Sequence, residues 1–173
     1  ATITVTAPAT INYKKGSATV TVTVSALPKQ TVTFDQEGDQ DAVYGDAAIE
    51  NKATSAQGGT VTYISTNPNV ATVDEDGTVT IVGAGETTIQ ATAAAVEGYA
   101  PTTASYKLTV APKEITATAA VADKTFDGTN EATVTNVAFE GVVGDDEVAY
   151  DATAAFADPN VDTGKTVTVT ITI

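Results

Sequence analysis

Apolar and polar residues alternate with period two along most of this chain, and turn-forming residues interrupt the alternation at short intervals. The pattern is clearest over residues 61–92, VTYISTNPNVATVDEDGTVTIVGAGETTIQAT. Val61 to Ser65 alternates, and Asn67-Pro68-Asn69 breaks it. Val70 to Val73 is a second run, stopped by Asp74-Glu75-Asp76-Gly77. Thr78 to Val82 alternates again, and Gly83-Ala84-Gly85 turns the chain into Thr87 to Thr92. Runs of this period with this punctuation predict an all-β chain built from antiparallel sandwiches. Helical spacing of apolar residues occurs only over Ala91 to Glu97, too short to hold a helix alone.

The same pattern divides the chain into three segments. Residues 1–28 hold two alternating runs, Thr2 to Thr6 and Ala18 to Ser25, joined through a turn at Lys14-Lys15-Gly16. Such a hairpin is marginal alone, so it is expected to end a preceding domain or to complement another sheet. Residues 29–112 predict the first complete unit. It starts with a strand from Gln30 to Phe34, an acidic loop from Asp35 to Asp41, and short edge elements from Ala42 to Ile49 and from Asn51 to Thr54. It closes with a strand from Ala104 to Val110. Residues 113–173 predict a second sandwich, with strands over Glu114–Ala120, Ala132–Phe139, Val148–Ala155 and Lys165–Ile173. It stops within an alternating run, so this sandwich is expected to be incomplete. The junctions Ala26-Leu27-Pro28-Lys29 and Val110-Ala111-Pro112-Lys113 are alike and short, which predicts a modular, semi-rigid arrangement.

Composition narrows the chemistry. Threonine makes up roughly a fifth of the chain, which favours strands. Eight lysines against 22 acids leave a net charge of −14, so nucleic acid and anionic lipid are excluded as partners. Without His or Cys there is no Ser-His-Asp triad, thiol nucleophile, disulfide or His-ligated zinc. No apolar run reaches the length of a membrane-spanning helix, so direct membrane insertion is not expected. The chain has no Met and starts like the middle of a strand, as expected of a mature or excised piece of a longer protein.

Two stretches carry a family resemblance. YISTNPNVATVDEDGTVTIVGAGETTIQAT has the serine–asparagine–proline turn, ATVD core and GAGxTxI ending of the group-two bacterial immunoglobulin-like domain. That resemblance extends more weakly across 29–112 and points to intimin- and invasin-type surface proteins. Residues 113–173 resemble the YDG repeat of bacterial surface and haemagglutinin-like proteins. The matching pieces are DKTFDGTN, with Phe126 in place of the usual Tyr, GVVGDDEV and FADPNVDTGKTVTVT. Together they imply an extracellular or cell-surface bacterial stalk or adhesin segment with no catalytic residues. Its expected partners are neighbouring immunoglobulin-like domains of the same or another chain, and a host or surface ligand.

The remaining chemistry lies in acidic turns. Asp35, Glu37, Asp39 and Asp41 form one cluster, Asp74 and Asp76 flank Glu75 in a second, and Asp145 and Asp146 precede Glu147 in a third. A glycosidase pair needs a cleft and one raised pKa, and turns offer neither, so the chain reads as non-enzymatic. A hard cation wants six to eight oxygens, which makes these carboxylates candidate calcium ligands, with plain turn chemistry as the competing use. No other cofactor is expected. Lys124 and Lys165 are candidates for a Lys–Asn or Lys–Asp isopeptide crosslink, with a solvated strand-edge lysine as the alternative. Tyr63, Tyr99 and Tyr106 could stack a sugar ring, or fill a core. Three functions follow: a structural and adhesive stalk, a self-assembling fibre or pilus-like subunit joined by strand complementation of residues 1–28 with the C-terminal unit, or a calcium- or carbohydrate-binding module.

Overall fold

The computed structural model describes residues 2–7, 12, 14 and 16–173, and every regular element among them is a strand. No helix among the described residues is long and apolar enough to cross a membrane.

The hairpin forms as the alternation predicts, from β1 (Thr2–Ala7) and β2 (Gly16–Thr21). The second strand stops at Thr21 instead of continuing to Ser25. The expected turn at Lys14-Lys15-Gly16 lies partly outside the described residues.

Residues 29–112 build two facing layers. One is a four-stranded sheet in the order β4 (Gln40–Val43), β11 (Thr102–Ala111), β10 (Gly85–Ala93), β7 (Val61–Ser65). Opposite it lie β5 (Ile49–Glu50), β9 (Thr78–Ile81) and β8 (Ala71–Val73), with β3 (Val32–Phe34) paired to β6 (Ala53–Ser55). Val70, Ala71 and Val79 from one layer meet Ile89, Tyr106, Leu108 and Val110 from the other. Phe34 stands edge-on to Tyr106 with ring centroids 4.9 Å apart. Each fully buried aliphatic of this size is worth about 1.5–3 kcal/mol, so this cluster dominates the stability of the unit.

Two segments resolve here. Ala91–Glu97, too short for a helix by its spacing, holds none. Ala91 and Ala93 continue β10 to nine residues, and both are fully buried because a small side chain lets the opposite layer close in. Gln40 and Asp41, expected in an acidic loop, belong to β4, which pairs parallel to β11 through Leu108↔Gln40 and Val110↔Ala42. β10 occupies the other edge of β11, and the edge left free recruits a polar segment whose own pattern is weak.

The register of β10 on β11 sets the two ends of this unit. Ala93 pairs with Thr102 at one end and Gly85 with Val110 at the other, about 27 Å apart along β11. The chain arrives at the first end, where Ala100 N donates to Pro28 O and the Gln30 side chain donates to Ala94 O. It leaves at the second, through Ala111.

Residues 113–173 form two smaller sheets. β12 (Thr116–Val121) pairs with β14 (Val134–Glu140), and β15 (Asp151–Phe156) lies between β13 (Glu131–Ala132) and β16 (Val167–Thr172). The sheets meet along β14 and β15. Apolar pairs line one face of β15–β16: Phe156 with Val167, Ala154 with Val169, Ala152 with Ile171. None of these side chains, and no other residue from 113 to 173, is fully buried.

Candidate functional site

Candidate chemistry concentrates in three places: the motif turns of the first unit, the junction between units, and the loops of the second unit.

In the motif turns, polar residues far apart in sequence meet to hold backbone. Thr87, buried on β10, places its hydroxyl 2.8 Å from Ser65 Oγ and accepts a 2.9 Å bond from the Asn67 amide. Asn67 in turn has its carbonyl bonded by the Val70 amide at 3.1 Å. The serine–asparagine–proline turn and the GAGxT ending therefore form one hydrogen-bonded corner. Asp74 Oδ1 accepts from the Asp76 and Thr78 amides, both at 2.9 Å, and Gly77 takes φ +86°. A Cβ at Gly77 would lie 3.1 Å from the Lys52 Cα, so the backbone itself closes that turn.

The calcium candidates separate. Asp39 Oδ1 accepts from the Lys107 amide at 2.8 Å, beside the partly exposed Lys107–Glu86 ion pair. Asp41 lies on β4, Asp35 and Glu37 border the bends before it, and Asp74 and Asp76 serve their turn. Asp146 is engaged by Tyr44, and Asp145 is exposed beside it. No group of three or more acidic side chains among the described residues is gathered closely enough to hold a metal ion. The carboxylates of Asp39 and Asp74 go to backbone amides, and that of Asp146 to the Tyr44 phenol.

The tyrosine platform does not form. Tyr106 is in the core, and the Tyr63 hydroxyl accepts from the Ala53 amide at 2.7 Å and donates to Ala53 O at 3.2 Å. Both rings sit on the inward face of their strands, since Tyr63 pairs with buried Ala91 and Tyr106 with buried Ile89. Only Tyr99 remains, half-buried in the loop between β10 and β11.

At the junction, the turn after β4 touches the acidic turn of the second unit. Val43 N donates to Asp46 Oδ2 at 2.8 Å, and Tyr44 N donates to Ala111 O at 2.9 Å. The Tyr44 phenol then donates to Asp146 Oδ2 at 2.7 Å. This bond to a carboxylate, helped by partial burial and the Asp146 charge, pushes the phenol pKa above its ordinary value. Gly45, at φ +91°, lies so close to Val143 that a Cβ would stand 2.6 Å from its Cγ2. A cleft of about 530 Å³ opens beside this contact, lined in part by Tyr44, Lys113, Val143 and Asp146.

In the second unit, both candidate crosslinking lysines act as charged clamps. Lys124 Nζ bonds Thr129 Oγ1 at 2.6 Å and Glu131 O at 2.8 Å, and pairs with Asp127 at 2.9 Å. Lys165 Nζ bonds Asp158 O at 2.8 Å and Asn160 O at 2.7 Å, and forms an ion pair with the Asp158 carboxylate. Asp127 and Asp158 also cap the amides of Thr129 and Asn160. The Lys124 bond and the Thr129 amide hold Asp127 down at about 2, and the Lys165 bond and the Asn160 amide lower Asp158. Each lysine thus lies against an aspartate held as its carboxylate and bridges it to backbone carbonyls of the same loop. The two clamped loops face each other across a cleft of about 530 Å³.

Sequence reasoning missed two polar anchors. Gln30, buried, bonds Ala94 O through Nε2 and Ser55 Oγ through Oε1. Asn51, buried, grips Gln36 at both its amide and its carbonyl, at 2.8 and 3.2 Å. A polar residue in an otherwise alternating segment was the available signal in each case.

Comparison with known families agrees with the motif reading. Residues 45–95 match the family model described as the intimin immunoglobulin-like domain, and residues 111–173 match the YDG domain. The two matches follow the order of the motif resemblance, an immunoglobulin-like segment and then a YDG segment, and point to a protein of bacterial surface or adhesion type. No curated protein matches the chain.

Proposed function

We propose that the chain is a non-catalytic stalk segment of a bacterial surface or secreted protein, in which successive sandwich modules carry an adhesive tip away from its anchor. The observation that carries this reading is the path of the chain through the first unit. It arrives where Pro28 and Gln30 bond Ala100 and Ala94, and it leaves about 30 Å away at Ala111. A module with its connections at opposite ends passes tension along its strands and adds its length to an array.

The junction supports the same reading. One proline-containing step joins the units, and the Tyr44–Asp146 bond with the Gly45–Val143 contact fastens the second to the first. The hydroxyl and carboxylate networks are spent on turns, as a load-carrying scaffold requires and a catalytic cleft does not.

Small-angle scattering of the dilute chain tests the proposal. A compact 173-residue globule has a radius of gyration of about 16 Å. The stalk predicts a clearly larger radius and an elongated distance distribution. A value near the globular one would overturn it.

A further inference from the structure

β4 carries little strand signal of its own, yet it is held along its whole length. Asp39 Oδ1 accepts from the Lys107 amide at 2.8 Å, and the ladder continues through Leu108↔Gln40, Thr109↔Asp41, Val110↔Ala42 and Ala111↔Val43. The Tyr44 amide closes it on Ala111 O at 2.9 Å. No other pair of strands among the described residues is parallel.

The entering segment is gripped at its other end too. Lys29 bridges Ala100, again in parallel, and the Ala100 amide donates to Pro28 O at 2.8 Å. Buried Gln30 bonds Ala94 O and Ser55 Oγ. Between the two grips the chain crosses to the opposite layer, where β3 pairs with β6. The segment from Pro28 to Tyr44 therefore runs alongside β11 in the same direction, entering at the Ala100 end while β11 leaves at Ala111.

That shared direction decides how the unit carries a load. Tension drawing Pro28 and Ala111 apart pulls β4 toward the Ala100 end and β11 the opposite way, so the two strands slide along their length. The ladder bonds lie across this motion and are strained together. Were the entering and leaving strands antiparallel, entry and exit would lie at one end, and the ladder would peel bond by bond. β11 is joined to β10 over nine residue pairs and to β4 over four, so the β4 side is where it gives.

We propose that the β4–β11 ladder, extended by the Asp39–Lys107 bond, is a mechanical clamp that sets the force at which the first unit yields when pulled between Pro28 and Ala111. The inference rests on the stalk reading for the source of the load. The clamp itself is a property of the unit and has its own measurement.

Single-molecule pulling of the full chain tests it. The chain has no cysteine, so introduced cysteines are unique handles. Lys29→Cys/Pro112→Cys loads the unit along the clamp, and Ala47→Cys/Pro112→Cys draws apart the neighbouring ends of β4 and β11; all three positions are exposed. The first pair is expected to yield at a severalfold higher force than the second, in a step that releases about 250 Å of chain. Forced unfolding reads the unfolding barrier and not the equilibrium stability, so a second comparison separates the two. Asp39→Ala is expected to lower the force along the clamp. Thr87→Val, which lies outside the clamp, is expected to leave that force nearly unchanged despite its loss of stability.

Equal forces in the two directions would overturn the proposal, and so would an Asp39→Ala force no lower than that of Thr87→Val. Scattering judges the stalk separately. A compact chain with a strong, directional clamp would refute the stalk alone, and an elongated chain that yields equally in both directions would refute the clamp alone.

Discussion

Tyr44 donates its phenol hydrogen to Asp146 across 102 residues of sequence, at 2.7 Å, and so binds the turn after β4 to the acidic turn of the second unit. The residues around it already fix the geometry. Val43 and Tyr44 are pinned by Asp46 and Ala111, so the phenol projects from a held backbone.

Tyr44→Phe and Asp146→Asn are each expected to loosen the junction without unfolding either unit. The measurement is the spread of interdomain orientations, from residual dipolar couplings or scattering, beside the thermal midpoint of each unit. A raised phenol pKa means that the folded state holds the proton more tightly than the unfolded chain. The contribution is therefore complete below the ordinary tyrosine value of 10.0 and is lost as pH rises through the higher folded value. Junction order is expected to persist through neutral pH and to fail only in strong alkali.

Gly45 answers to two constraints that mutation can separate. At φ +91° an added Cβ costs about 1–3 kcal/mol of backbone strain, and it would also press on Val143. Gly45→Ala should lower thermal stability by at least the strain. Pairing it with Val143→Ala should return the steric part and leave the backbone part, a non-additivity that a double-mutant cycle reads directly.

Thr87→Val keeps the shape and removes the hydroxyl. The Asn67 amide then loses its 2.9 Å acceptor, and Ser65 its 2.8 Å partner. The Asn67 amide keeps only its longer 3.3 Å bond to Ser65 Oγ, so chemical denaturation should show a loss of about 1 kcal/mol. Thr87→Ser should restore most of it.

Asp127 sets an acid limit on its loop. Its folded pKa of about 2 lies below the ordinary 3.8, so its contribution is complete above that ordinary value and disappears as pH falls through about 2. A carboxyl titration by nuclear magnetic resonance should find this midpoint. In a Lys124→Met variant it should move back toward 3.8, because the lysine bond is the largest cause of the depression.

How much of this was legible beforehand depends on the range of the signal. Val61–Ser65, Ala71–Val73 and Thr78–Ile81 form almost where their alternation places them. Period two and the turn preferences of Asn67-Pro68 and Asp74 to Gly77 act over a few residues, where one sequence is sufficient. The carboxylates of Asp74 and Asp39 were ambiguous, because a residue suited to calcium is equally suited to capping an amide. Lys124 and Lys165 read as crosslink candidates or as solvated edge lysines, and their use as loop clamps depends on which carbonyls the fold turns toward them.

The sequence by itself determined the all-β class, the strands of the central stretch and the order of the two family-like units, since each rests on local periodicity and contiguous motifs. Tertiary structure alone decided the parallel pairing of β4 with β11, the inward rings of Tyr63 and Tyr106, the anchors Gln30 and Asn51, and the Tyr44–Asp146 bond. It also left every side chain of the C-terminal unit with some solvent exposure. These outcomes depend on which strand edges and faces remain free once the strongest pairs have formed, and that competition among distant segments is not written in any short stretch of residues.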